Sequence, residues 1–134
     1  MNDILINKIQ IVQRCVERAR EEYQKAGDAF RTDYTHQDSA VLNVTRACEI
    51  TIDLANHIIK KEKLGIPTSS SESFYLLYRK GIISSGMEEK MKAMVSFRNI
   101  AVHEYQKLNV ETIEKVIIHG LEDVLEFAQI LRNR

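Results

Sequence analysis

The chain has 134 residues, enough for one domain with one core (residues 1–134) and too few for two. Apolar residues make up 44% and charged residues 28%, the balance of an ordinary globular protein. Lysine plus arginine and aspartate plus glutamate number 19 each, so the net charge is near zero. That excludes a polybasic binder working by wholesale phosphate neutralisation, but leaves room for nucleic acid held by a few local cations.

With one proline and five glycines the chain has little punctuation for a β fold, and long helices are expected. Leu5, Ile9, Val12, Val16, Ala19 and Tyr23 recur at spacings of three and four, the stripe of an amphipathic helix. Arg14, Glu17, Arg18, Arg20, Glu21 and Glu22 form its solvated face, and Gly27 is its stop. The opening MNDILINKIQ interrupts its apolar residues with Asn, Lys and Gln, so no signal peptide is read there. No run approaches the ~18 apolar residues of a membrane span, and a cytoplasmic protein with no membrane contact is expected.

A polar loop, RTDYTHQD, follows, and a second helix is predicted over about residues 37–64. It is apolar on two sides: Val41, Thr45, Cys48, Ile52, Ala55 and Ile59 make one row, Ala47, Ile50, Leu54 and Ile58 another. A helix covered on two sides is central. Its remaining stripe, Arg46, Glu49, Asp53, Asn56, His57 and Lys60, is entirely polar. Gly65 and Pro67 end it. Ser69 with Glu72 reads as a capping box opening a short helix that stops at Gly81. Ser85 with Glu88 repeats the signature, and Asn109 caps a last helix carrying Ile113, Val116, Ile117, Leu121, Val124, Phe127 and Leu131. The fold class predicted is all-α: an antiparallel bundle of four long helices plus one short helix.

Cys15 and Cys48 fall at apolar helical positions without a CxxC pair, and read as buried thiols in a reducing compartment. His36 reads as a loop residue, His57 as part of the polar stripe and His119 as exposed on the last helix. None has metal-ligand spacing with another His or Cys, so neither a metal nor a cofactor is expected.

The stretch FRNIAVHEY (97–105) is different: it sets Arg98, Asn99, His103 and Tyr105 where packed helix is expected. On a continuous helix Arg98 and Tyr105, seven apart, share a face about 10 Å apart, whereas His103 lies about 140° around from Arg98. Arginine and histidine of one straight helix therefore do not converge on a small ligand without a bend. Two copies about a twofold axis, each offering Arg98 to the other's His103, solve this most economically, since closed twofold dimers are the commonest oligomers. Such a site suits RNA: histidine serves as acid or base near neutral pH, and arginine forks onto phosphate oxygens. The alternative is that each is an ordinary structural or surface side chain.

The string RNIAVHEY matches the R-x4-H-x-Y signature of HepT-like toxins, a branch of the HEPN (higher eukaryotes and prokaryotes nucleotide-binding) superfamily. The blocks QDSAVLNVTRACEITIDLANHII, LGIPTSSSESFYLL and MVSFRNIAVHEY resemble that family in the same order, over essentially the whole chain. The resemblance implies a metal-independent endoribonuclease toxin acting as a homodimer on RNA, paired with an MntA-type nucleotidyltransferase antitoxin. By position it implies catalysis by Arg98 and His103, support from Asn99, and Tyr105 as the hydroxyl onto which the antitoxin transfers AMP from ATP. AMP there adds negative charge and bulk where RNA phosphate must sit.

The polar stripe of the second helix has two readings: a solvated face paired within itself, or a wall of the cleft with a carboxylate orienting Arg98 or His103. In the second, Asp53 is preferred over Glu49, because apolar positions flank it. Two further functions compete with the ribonuclease: a non-catalytic, nucleotide-binding partner subunit of a nucleotidyltransferase, and a helical adaptor, which leaves the motif unexplained.

Overall fold

The computed structural model describes residues 3–134, and among them every regular element is helical. Helix α1 (Asp3–Ala26) buries the predicted stripe from Leu5 to Ala19. Tyr23 extends it, half-buried edge-on against Phe30 with ring centroids 4.8 Å apart. The chain leaves α1 at Gly27 with φ +55°, a left-handed turn that glycine adopts without penalty.

Helix α2 (Tyr34–Glu62) starts earlier than predicted. Asp33 is its N-cap, accepting the backbone N–H of His36 at 3.0 Å, so Tyr34, Thr35 and His36 belong to the first turn and the loop shrinks to three residues. His36 is thus helical, its ring 2.7 Å from Asp33 and 3.7 Å from Glu22. At the other end Lys63 takes the left-handed conformation (φ +53°), and the N–H of Leu64 returns to the carbonyl of Ile59. The helix therefore closes before Gly65. Both apolar rows of α2 are covered, by α1 on one side and by the later helices on the other, with Thr45 and Ile50 only half-buried.

Helix α3 (Ser70–Arg79) is capped by Ser69 as expected, though the Glu72 carboxylate reaches Thr68 rather than closing on Ser69. For α4 (Ser85–His103) the cap is Ser84, not Ser85: its Oγ accepts the N–H of Met87 at 3.1 Å. Glu88 is buried and meets Lys92 instead. The final rod is capped by Asn109 and runs as α5 (Val110–Lys115), a wide π turn over Val116–Gly120, and α6 (Leu121–Arg132). A Cβ on Gly120 would stand 2.8 Å from Met94 Sδ, so the Met94 side chain of α4 packs directly on the bare glycine. Phe127 and Phe74 stack edge-on at 5.4 Å in the centre of the core. The long helices and short α3 make the predicted antiparallel bundle, with α2 in the middle and α4 laid along it.

Candidate active site at the end of helix α4

Arg98 sits five residues before the end of α4 and turns inward, where α2, α3 and α4 meet. One terminal nitrogen donates to Glu49 Oε1 of α2 at 3.0 Å, and the other to Ser70 Oγ, in the first turn of α3, at 3.1 Å. Nε is buried without a hydrogen-bond partner. Two of the five donors of the fork are thus used to fix its plane.

The carboxylate on Arg98 is therefore Glu49, not the preferred Asp53. Four residues along α2 rotate a side chain by about 40° and carry it about 6 Å up the axis. That displacement swings Asp53 toward α1, where its carboxylate is exposed and lies 3.8 Å from Lys8 Nζ. Glu49 was legible as the second choice; Ser70, one of three consecutive serines, carried no sequence signal.

His103 is the last residue of α4 and is exposed, as is Asn99. No hydrogen bond or ion pair joins His103 to Arg98, in keeping with their separation around the helix. At Glu104 (φ −143°, ψ 47°) the helix stops, and Tyr105–Lys107 form a single 3-10 turn. The shared face of Arg98 and Tyr105 required an unbroken helix and does not exist. Instead the chain turns over the start of α2, and the Tyr105 phenol donates a hydrogen bond to Asp38 Oδ1. Burial first, then the hydrogen bond to Asp38 and its charge, push this phenol up to about 12. Asp38 was hidden in the stretch read as loop, and its partner lies 67 residues away in sequence.

Beside this pair is an open cavity of about 430 Å³ lined by Asp38, Val41, Leu42, Thr45, Ala101, Val102 and Tyr105. Its rim is apolar and uncovered: Leu42 is 49% exposed and Val102 52%, with Ile100 also exposed nearby. Next to Arg98, the Cys48 thiol is raised to about 12 by burial, so it stays protonated and unreactive. Among the described residues no group of three or more His, Cys, Asp or Glu side chains is placed to hold a metal ion. No described helix is long and apolar enough to cross a membrane.

An all-helical bundle whose α4 ends in Arg-x4-His, with a tyrosine two residues further on and the arginine braced from α2 and α3, defines a HEPN-type domain. The model of the family described as ribonuclease HepT-like matches residues 12–131. The chain belongs to that family. It is 46% identical over 132 residues, 98% of each chain, to the mRNA nuclease HepT of Shewanella oneidensis. Its fold superimposes on a tri-AMPylated Shewanella oneidensis HEPN toxin in complex with MNT antitoxin, with a TM-score of 0.94, 44% identity and full coverage of both chains. A toxin–antitoxin structure with AMP-PNP matches with a TM-score of 0.92 and 44% identity, covering 98% of this chain and 99% of that one.

Proposed function

We propose that this chain is the toxin of a toxin–antitoxin pair: a metal-independent endoribonuclease of the cytoplasm, built as a homodimer and silenced when a cognate nucleotidyltransferase places AMP on Tyr105. The observation that carries this reading is the division of labour on α4. Arg98 is braced by Glu49 and Ser70, while His103, about 140° around the helix, projects into solvent. A twofold partner brings a second histidine to face each arginine. The uncovered rim of Leu42, Ile100 and Val102 beside the motif supplies apolar surface for such a contact.

In that cleft one imidazole takes the proton of a ribose 2′-OH as its oxygen attacks the adjacent phosphorus. The second, protonated imidazole gives its proton to the departing 5′-oxygen. The Arg98 forks hold the negative charge on the equatorial phosphate oxygens. The products are a 2′,3′-cyclic phosphate and a free 5′-hydroxyl. Asn99, exposed one residue after Arg98, is assigned a supporting place at the cleft edge.

The test incubates the unmodified protein and His103→Ala with mixed cellular RNA in excess chelator and maps the new ends. Cyclic phosphate ends produced by the wild type and lost in the variant support the nuclease. Absence of cleavage by an intact, unmodified protein sinks it, and points to the nucleotide-binding subunit instead.

A further inference from the structure

The reading of Tyr105 as AMP acceptor leaves one chemical question open: where its proton goes. The phenol oxygen must attack the α-phosphorus of a nucleoside triphosphate while still carrying hydrogen. With the phenol held near 12, only about one molecule in 10⁵ is ionised at neutral pH, so the reaction needs a proton acceptor at the oxygen as the new bond forms. Among the described residues, the acidic group hydrogen-bonded to that oxygen is Asp38, which receives the phenolic hydrogen directly on Oδ1.

We infer that Asp38 is the catalytic base of AMP transfer onto Tyr105, supplied by the acceptor chain rather than by the enzyme that holds the nucleotide. The inference rests on Tyr105 being the acceptor. In the step, the bond from Tyr105 Oη to the α-phosphorus forms and the bond from that phosphorus to the bridging oxygen of the β-phosphate breaks. Pyrophosphate leaves, and the phenolic proton passes to the Asp38 carboxylate and then to water. The co-reactant is ATP, bound by the nucleotidyltransferase.

Three features of the fold suit Asp38 to this. It stands early in α2, a helix fixed at its start by the Asp33 cap and along its length by the core, so the carboxylate is anchored. Its side chain is accessible, as is Tyr105, so a nucleotide-bearing partner can approach from outside. The adjoining open cavity leaves space on the Tyr105 side for the incoming group. Once AMP is attached the phenol has no hydrogen to donate, and phosphodiester and carboxylate become neighbouring negative charges. The modified tyrosine is therefore expelled from its resting place on α2.

The test compares the full chain and its Asp38→Asn, Asp38→Ala, Asp38→Glu and Tyr105→Phe variants as substrates of the cognate nucleotidyltransferase with ATP and magnesium. AMP is located by peptide mass spectrometry, and matched thermal unfolding establishes that each variant is folded. Asparagine keeps an oxygen for the hydrogen bond but cannot take the proton. Asp38→Asn is expected to lower the maximal transfer rate about a hundredfold, with the half-saturating concentration of the chain nearly unchanged, and Asp38→Glu to recover part of the loss. Wild-type rates for Asp38→Asn overturn the inference; if Asp38→Ala alone is slow, Asp38 merely positions the phenol. Label that persists in Tyr105→Phe overturns the acceptor assignment itself, an outcome distinct from either.

Discussion

Removing the Glu49 carboxylate should slow RNA cleavage through Arg98 without unfolding the protein. The Arg98–Glu49 contact is a charge-assisted hydrogen bond at 3.0 Å, but the two side chains are 19% and 46% exposed, so water screens part of it. A well-buried bond of this kind contributes roughly 1.5–3 kcal/mol and an exposed pair roughly 0–1, which places this one near 1 kcal/mol. In Glu49→Ala the guanidinium keeps only Ser70, and a loss of about 1–1.4 kcal/mol in holding its plane lowers kcat about five- to tenfold. Glu49→Gln retains an acceptor oxygen and should lose only about two- to threefold. Deleting a carboxylate also makes the cleft more positive, so KM for RNA should fall rather than rise. A drop in kcat with a drop in KM is thus the signature, read by steady-state cleavage of a fluorogenic RNA at fixed salt. Unchanged kcat in Glu49→Ala, or a larger loss in Asp53→Ala than in Glu49→Ala, would refute the reasoning.

Other expectations follow from the same geometry. The Tyr105 phenol is raised from 10.0 to about 12, so the stability from its hydrogen bond to Asp38 is present below pH 10 and lost as pH rises through about 12. Phenolate absorbance should show Tyr105, together with Tyr23, ionising later than the other tyrosines, and Asp38→Asn should return Tyr105 toward them; a late phase unchanged by Asp38→Asn argues against the bond. Ser84→Ala should cost about 1 kcal/mol in chemical denaturation and Ser85→Ala very little, because only Ser84 accepts the N–H of Met87. Equal effects would contradict the cap assignment. Cys48 should resist alkylation at mildly alkaline pH until the protein is unfolded, since its thiol is buried and raised to about 12; stoichiometric labelling of the native protein would show otherwise.

What was legible in the sequence was whatever periodicity and local chemistry determine. The single stripe of α1 and the double rows of α2 predicted one peripheral and one central helix, because apolar spacing at 3.6 residues per turn directly encodes which faces are covered. Boundaries were harder. RTDYTHQD is polar enough to read as loop, yet one carboxylate, Asp33, nucleates a helical turn within it. Adjacent serines at 84 and 85 are chemically identical, and only backbone geometry selects between them. For the site, the motif residues could be named from their order, but their partners are set by tertiary packing. Glu49 and Asp53 differ by one turn of the same stripe, and the register of α4 against α2 decides which meets Arg98. Asp38 meets Tyr105 only because α4 stops at His103 and the chain folds back, which helical spacing does not foretell.

The most direct test of the central claim pairs wild type with His103→Ala. The two chains, each carrying a different affinity tag, are co-expressed and the mixed dimer is isolated through both tags. If one cleft draws its base and its acid from the two protomers' His103, the mixed dimer has a single imidazole and should cleave RNA in chelator almost as poorly as the His103→Ala homodimer. A mixed dimer that keeps about half of wild-type cleavage would mean two centres working independently and would contradict the shared acid–base cleft.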